Sequence, residues 1–362
     1  MKIVFYIVAI VLLINTRSAW ADFPKEEQVG CLKEISWVQG KPLFIHNNQY
    51  VLLMDHHRGQ KHKIYVVDIR DITQPKISDI ISVTSNQKKA NIREYKLNHA
   101  ADKLYMTVQD SLLIYDVRNP ENIHQLSSTK FMEPLAFAIT ADDKYLYASG
   151  CYKNKRCDGL SLFGIEGDTL TFIKELDGVK HPSQIVISPD GNKLAYGSIL
   201  DSPLILTDIS DKQKITRLDN TTKPFYNRGS WKTSANFKEG RFSADSRYLY
   251  IASGQSGLLV FDTNKNTLNK VQQTSGRHWA ALTNNTGFIS SFDVLNDTIY
   301  LSGKSDEIKS EISSIKGFEH AYFWQGNSLA VATDGSIITL VDSYGERYDE
   351  RCVKFIKILQ EP

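Results

Sequence analysis

Short apolar runs separated by polar, turn-forming clusters occupy most of the chain, and four of these runs end in an aspartate. Successive aspartates are 48, 92 and 54 residues apart, so the middle gap is close to two of the others. A degenerate copy, LFGI at residues 162–165, falls inside the long gap. A further copy, IITLVD, occupies residues 337–342 near the C-terminus. The complete copies end at Asp68, Asp116, Asp208 and Asp262. Short runs of this composition predict β-strands.

A strand-based repeat of roughly 40 to 50 residues is typical of a β-propeller, whose units cannot bury their apolar faces alone. The clearest unit places strands at residues 184–187, 193–196, 204–207 and 214–218. This template gives units at residues 34–83, 91–129, 133–178, 179–222, 224–277, 278–317 and 318–360. The sequence therefore predicts an all-β fold: a single propeller of seven four-stranded blades, with six or eight as alternatives. Each aspartate is expected to accept a hydrogen bond from the backbone N–H two residues on and to fix a turn.

Two of the repeats resemble the LVIVD-repeat family of bacterial β-propeller proteins. The first is IYVVDI at residues 64–69 followed by DITQP, and the second is LIYDV at residues 113–117 followed by RNP. The resemblance weakens where Gly164 replaces the aspartate and in the sixth unit. It implies an exported propeller, and it implies no shared activity or catalytic residues.

The first 21 residues have the pattern of a signal peptide: a basic Lys2, an apolar run at residues 3–14 and the small-x-small end Ala19-Trp20-Ala21. An uncleaved N-terminal anchor is the alternative. We expect a mature propeller domain at residues 22–362, monomeric, periplasmic or secreted from a bacterium, and with no stable membrane span. Loss of Lys2 and Arg17 from 43 basic residues leaves 41 against 41 acidic ones. A neutral chain argues against general attraction to nucleic acid or membrane surfaces.

All four cysteines lie in the predicted mature chain, which favours two disulfides in an oxidising compartment. Three pairings are possible, and we predict Cys151–Cys157, which closes a small loop, and Cys31–Cys352, which closes the ring. The second bridge is expected to contribute about 4–5 kcal/mol by restricting the unfolded chain. A metal site is the competing interpretation, but the sequence has no Cys-x-x-Cys pair.

Two long basic loops, at residues 55–63 and 151–157, join predicted second and third strands and are expected on one face of the propeller. Insertions on one face of a repeat array often mark a binding surface. The alternative is that both loops are simply solvated. An aromatic- and arginine-containing connection enters the fifth unit on the same side. The candidate residues for a protein partner or an anionic ligand are His56, His57, Arg58, Lys61, Lys153, Lys155, Arg156, Arg228 and Trp231.

The template also places one polar residue per unit at the start of the innermost strand, around the mouth of the channel. These residues are Glu133, His181, Asn236 and His320. A carboxylate with two imidazoles at one cavity is suited to acid–base catalysis, although polar residues at a solvent-filled mouth need no such role. The histidines near residues 46–62 fit no metal-binding spacing, so no metal or cofactor is predicted.

Two functional hypotheses follow from these features. The leading one is a non-catalytic binding or scaffold protein that recognises a protein or an anionic ligand through the basic face. The alternative is a lactonase-like or other hydrolase that acts at the channel mouth through Glu133, His181 and His320. A third possibility is a structural module of an envelope assembly.

Overall fold

The computed structural model describes residues 25–35, 41–55, 63–83, 92–131, 134–150, 158–180, 182–197, 203–212, 214–221, 239–253, 257–273, 278–283, 289–293, 298–302, 329–331, 337–341 and 353–359. Every regular element in these residues is a β-strand, as the pattern predicts. In this part of the chain no helix is long and apolar enough to cross a membrane. The predicted signal peptide, residues 1–21, lies outside the described residues.

The described strands form seven antiparallel sheets, six with four strands and one with three. The first strand, β1 (Lys25–Leu32), belongs to the last sheet. Sheet 1 contains β2 (Leu43–Ile45), β3 (Tyr50–Asp55), β4 (Lys63–Asp68) and β5 (Lys76–Ser82). Sheet 2 contains β6 (Ile92–Leu97), β7 (Lys103–Val108), β8 (Ser111–Asp116) and β9 (His124–Lys130). Sheet 3 contains β10 (Phe137–Ile139), β11 (Tyr145–Ser149), β12 (Asp158–Glu166) and β13 (Thr169–Lys180).

The later sheets repeat this order of strands. Sheet 4 contains β14 (Gln184–Ile187), β15 (Lys193–Gly197), β16 (Ile205–Asp208) and β17 (Thr216–Asn220). Sheet 5 contains β18 (Glu239–Phe242), β19 (Tyr248–Ala252), β20 (Leu258–Asp262) and β21 (Asn269–Gln273). Sheet 6 contains β22 (His278–Thr283), β23 (Ile289–Asp293) and β24 (Thr298–Ser302). Sheet 7 contains β25 (Leu329–Val331), β26 (Ile337–Val341), β27 (Val353–Leu359) and β1.

Apolar side chains from neighbouring sheets share each core, which gives a ring of sheets. One core joins sheets 1 and 2, the next joins sheets 2 and 3, and two more join sheets 3 to 4 and 4 to 5. The first strands of sheets 5, 6 and 7 are also neighbours, since β18 contacts β22 and β22 contacts β25. Leu32 and Phe355 of sheet 7 pack with Phe44 and Leu53 of sheet 1. Sheets packed face to face in a ring define a propeller-like fold.

The N-terminal strand completes the last sheet, which the sequence did not predict. Strand β1 pairs with β27, and Leu32 lies opposite Val353. Residues 318–360 were expected to form a complete unit, but their fourth strand comes from the opposite end of the chain. Cys31, in β1, is disulfide-bonded. Cys151, Cys157 and Cys352 lie outside the described residues, so both predicted pairings stay predictions.

The repeated aspartates fix turns, as predicted. The Oδ1 atom of each aspartate accepts a hydrogen bond from the backbone N–H two residues later in the chain. The N···O distances are 3.0 Å at Asp68, 2.9 Å at Asp116 and 2.8 Å at both Asp208 and Asp262. An irregularity in the register precedes each of them, between residues 66 and 67, 114 and 115, 206 and 207, and 260 and 261. Sheet 3 has the same irregularity between Leu162 and Phe163, before Gly164. A β-bulge at this point bends the outer strand and increases its twist in each repeat.

The charge on Asp116 should stabilise the fold. Hydrogen bonds from the Arg118 guanidinium lower the pKa of Asp116 to about 2. A carboxyl group whose pKa is lower in the folded chain stabilises the fold above its unfolded pKa, and this contribution is lost as the pH falls through the folded pKa. We expect Asp116→Ala to lower the free energy of unfolding by about 1–2 kcal/mol at pH 7. Asp116→Asn should lose less because its amide oxygen retains the turn.

Urea unfolding at pH 7 and at pH 2–3 measures both effects. The difference between wild type and Asp116→Asn should shrink as the pH falls from about 4 toward 2. A difference that does not change with pH would show that the Asp116 charge contributes nothing.

Candidate functional site in the central channel

The first strands of sheets 1 to 5 line a cavity of about 300 Å³. Apolar side chains such as Leu43, Ile139 and Ile185 form part of its wall. The charged residues lie just before these strands or within them. They are Lys41, Arg93, Glu94, Lys96, Glu239 and Arg241. A concave, partly apolar cavity with a few converging charged groups is typical of a small-molecule site.

Three of these side chains converge although they come from opposite parts of the chain. Lys41 Nζ donates to Glu239 Oε1 at 3.2 Å, and Arg241 Nη2 lies 3.4 Å from the same oxygen. The Glu239 side chain is only 12% exposed, against 26% for Lys41. Two cations therefore share one carboxylate oxygen at the edge of the cavity. Glu239 Oε2 has no hydrogen-bond donor among the described residues.

Burial lowers the pKa of Lys41 to about 8, and repulsion by the Arg241 and Lys96 charges adds to this effect. The attraction and hydrogen bond of Glu239 act in the opposite direction but do not outweigh it. A lysine with a pKa in this range is a mixture of ammonium and neutral amine at slightly alkaline pH. It is therefore able to donate a proton in one form and to act as a base or nucleophile in the other.

A second charged pair joins sheet 2 to sheet 3. Lys96 Nζ lies 2.6 Å from Glu94 Oε1 and donates to Phe137 O at 2.5 Å. Glu94 Oε2 accepts the Phe137 N–H at 2.7 Å, and the Lys96 ammonium lies 5.2 Å from the centre of the Phe137 ring. Both side chains are thus committed to the backbone of the neighbouring sheet. We call Lys41, Glu94, Lys96, Glu239 and Arg241 the channel cluster.

A register shift between Ile92 and Glu94 brings Arg93 to the same cavity. Successive residues of a strand normally face opposite sides of the sheet. An extra residue therefore changes the side that the neighbouring side chains face. Arg93 is exposed, whereas the pair of Glu94 and Lys96 is half-buried. The bulge therefore adds a solvated cation, Arg93, next to the ion pair of Glu94 and Lys96.

The turns after the first strands lie at the other end of the channel. Asp143, in the turn of sheet 3, accepts the backbone N–H groups of His99 and Ala100 at 2.8 and 3.0 Å. Its Oδ1 also lies 3.2 Å from His99 Nδ1. These bonds join the turns of adjacent sheets, so they give Asp143 and His99 a structural role.

The residues predicted from the sequence as functional lie outside the described residues. This applies to the channel residues Glu133, His181, Asn236 and His320. It applies equally to the predicted ligand-binding residues His56, His57, Arg58, Lys61, Lys153, Lys155, Arg156, Arg228 and Trp231. Among the described residues, no group of three or more His, Cys, Asp or Glu side chains is placed to hold a metal ion.

The predicted channel-mouth residues precede the described first strands by a few positions, and their place at the mouth stays a prediction. Strands β10, β14 and β18 begin at Phe137, Gln184 and Glu239, which is four, three and three residues after Glu133, His181 and Asn236. Charged residues at alternate positions, in Glu239-Gly240-Arg241 and Glu94-Tyr95-Lys96, were the sequence signal for this site. Every second residue of a strand faces the same side of the sheet. Sequence reasoning missed the whole channel cluster.

The two basic segments are connected to the same end of the channel as the cluster. Residues 56–62 join β3 to β4, and residues 151–157 join β11 to β12. Strands β3 and β11 run antiparallel to the first strands β2 and β10, so they end where the first strands begin. The predicted common face of these segments therefore agrees with the topology of the described strands.

The ring of sheets and its polar central cavity define a β-propeller-like protein with a small-molecule-sized channel site. Among solved structures, the chain is similar to the periplasmic gluconolactonase of Pseudomonas aeruginosa, with 13% identity and a TM-score of 0.50 over 65% of this chain and 69% of that one. It is also similar to a putative 6-phosphogluconolactonase from Bacteroides uniformis, with 13% identity and a TM-score of 0.49 over 64% of this chain and 69% of that one. At this identity the similarity supports the fold alone. No protein-family model matches the chain, and no curated protein is similar to it in sequence.

Proposed function

We propose that this protein is an exported propeller hydrolase that opens a small acidic lactone at one end of its central channel. The observation that carries the proposal is the grouping of Lys41, Glu239 and Arg241 around one carboxylate oxygen at the cavity. This site replaces the predicted Glu133, His181 and His320 as the proposed centre of the reaction. The structurally similar Pseudomonas protein is described as a gluconolactonase, and the proposed reaction class is taken from it.

The chemistry needs a proton acceptor and a group that stabilises negative charge. Glu239 Oε2 is available to accept a proton from a water molecule whose oxygen attacks the lactone carbonyl carbon. Arg241 and the ammonium form of Lys41 stabilise the oxyanion that forms. The ring C–O bond then breaks, and the leaving oxygen takes the proton that Glu239 accepted, which gives the hydroxy acid and restores the carboxylate.

An acidic substrate fits the charge of the site. Arg93, Lys96, Arg241 and the ammonium form of Lys41 face the carboxylates Glu94 and Glu239 in the cavity, so cations exceed anions by two (4 − 2 = 2). The basic residues of segments 56–62 and 151–157 would add to the attraction. The acidic substrate proposed here is the anionic ligand of the binding hypothesis, while recognition of a protein partner stays a prediction.

Export and ring closure complete the proposal. Residues 1–21 act as a signal peptide, the mature chain resides in the periplasm, and the seven sheets are the seven blades. Cys352 immediately precedes Val353, the partner of Leu32 in the register of β1 with β27, and this supports a Cys31–Cys352 bridge across the closure. Peptide mapping of the unreduced protein tests that pairing.

Replacement of Glu239 by Gln tests the proposed reaction. The amide keeps the shape of the side chain but accepts no proton from water, so we expect kcat for opening of a phosphorylated sugar lactone to fall by about 100-fold. Titration of the acid released at constant pH, after subtraction of the spontaneous reaction, measures the rate. Glu121→Gln, at an exposed position in a turn of sheet 2, is the matched control and should retain wild-type turnover.

The pH profile adds a second readout. The Lys41 ammonium is lost as the pH rises through about 8, so the catalysed rate should decline above that pH although the spontaneous rate increases. No turnover of phosphorylated or carboxylated sugar lactones by the wild-type protein would contradict the proposed function, and so would full activity of Glu239→Gln.

A further inference from the structure

The two lysines of the channel cluster are held very differently. Lys96 Nζ contacts a carboxylate oxygen, a backbone carbonyl and an aromatic face. Among the described residues, Lys41 Nζ makes a single hydrogen bond, to Glu239 Oε1 at 3.2 Å. Its side chain is a quarter exposed and lines the cavity. The amine of Lys41 is therefore accessible from the channel, whereas that of Lys96 is occupied.

The arrangement around Glu239 determines which cation gives up its proton. Lys41 and Arg241 both approach Oε1, and one carboxylate cannot fully offset two half-buried positive charges. An arginine keeps its proton throughout the accessible pH range, so Lys41 is the group that becomes neutral. The lowered pKa of Lys41 agrees with this geometric argument.

The backbone and the cavity both favour a reaction at this amine. Pro42 follows Lys41 and restricts it to extended conformations, which limits the positions of its side chain. The cavity of about 300 Å³ is at the small end of ligand-binding pockets. With Lys41 neutral, the three remaining cations still exceed the two carboxylates Glu94 and Glu239. The site therefore favours a small carbonyl compound that carries an acidic group.

We propose that Lys41 is a reactive amine that forms an imine with a small 2-oxo acid in the channel. The nitrogen lone pair attacks the keto carbon, an N–C bond forms and the carbonyl π electrons move to oxygen. Glu239 transfers the two protons of the nitrogen to the oxygen in turn: the first gives the carbinolamine hydroxyl, and the second lets this hydroxyl leave as water while the C=N bond forms. The balance is amine plus ketone to imine plus water, with no oxidant or reductant. The proposal uses the same cavity as lactone opening but does not depend on it.

Reductive trapping tests the proposal on the full mature chain. The protein is incubated at pH 8 with pyruvate as the probe and sodium cyanoborohydride as the reductant, and adducts are located by peptide mass spectrometry. We expect one predominant adduct, at Lys41, formed on the order of tenfold faster than at Lys76, whose side chain is 72% exposed. Labelling of Lys41 should level off above pH 8.

Matched variants separate this reactivity from folding and from lactone opening. Lys41→Arg keeps a cation beside Glu239 and should lose the adduct, while Lys130→Arg, at an exposed position in β9, should keep it; circular dichroism confirms that both are folded. Equal labelling of Lys41 and Lys76, or an unchanged adduct yield in Lys41→Arg, would overturn the proposal. Equal labelling of Lys41 by the neutral ketone dihydroxyacetone would overturn the preference for an acid. Trapping without lactone turnover would contradict only the proposed hydrolase.

Discussion

Replacement of Gly30 by Ala should strongly destabilise the closure of the ring. Gly30 is buried in β1, where a Cβ atom would overlap the backbone oxygen of Ile72 and lie 3.0 Å from Pro75 Cδ. The overlapping oxygen belongs to the backbone of the turn that follows Asp68. Unlike the end of a flexible side chain, it cannot move aside. The register of β1 is also interrupted between Gln28 and Gly30, so the strand is already bent at this point. We expect a loss of about 3 kcal/mol in the free energy of unfolding.

Gly164→Ala is the matched control because it also places a methyl group in a strand. Its Cβ would meet Ile173 Cδ1 at 3.5 Å, an ordinary contact, and the expected change is within about 0.5 kcal/mol. Guanidinium unfolding under oxidising conditions compares the two variants. The loss in Gly30→Ala should grow when the Cys31 disulfide is reduced, because β1 then holds only through its strand pairing and packing. Equal unfolding midpoints for both variants would show that β1 does not close the ring in solution.

The positions of most strands could be predicted because local pattern determines them. Residues 184–187 were predicted as an innermost strand, and β14 spans Gln184–Ile187. The aspartate turns were also predictable because their hydrogen bonds span only two residues. Strand β1 was missed because its charged sequence has no apolar alternation, and its partner β27 lies at the other end of the chain. Nothing local distinguishes such a strand from a linker.

The candidate site could not be predicted in the same way. Lys41 and Glu239 are 198 residues apart in sequence, and only the closed ring brings them together. Lys41 lies two residues before β2 and Glu239 is the first residue of β18, so a displacement of a few residues in either strand boundary would place a different side chain at the channel. The bulge at Arg93 changes the alternation once more. Boundaries of strands, rather than their existence, therefore decide which residues form a site in a propeller.

Loss of the Glu94 carboxylate should destabilise the chain more than loss of its partner Lys96. Glu94→Ala leaves the half-buried Lys96 ammonium without its anion and removes the acceptor of the Phe137 N–H. We expect this variant to lose about 2–3 kcal/mol of unfolding free energy. Lys96→Met keeps the bond from Phe137 N–H to Glu94 and fills the space of the lysine stem, so a loss of about 1 kcal/mol is expected.

The double variant separates an ion pair from two independent contacts. If Glu94 and Lys96 stabilise the junction of sheets 2 and 3 as a pair, the double variant should lose about 1–2 kcal/mol less than the sum of the single losses, because no unpaired charge remains. Urea unfolding of the four proteins measures the coupling. Strict additivity would mean that each side chain acts only through the Phe137 backbone. Since β6 and β10 both line the cavity as neighbouring strands, a coupled pair would also fix the shape of the wall of the cavity in which Lys41 and Glu239 meet.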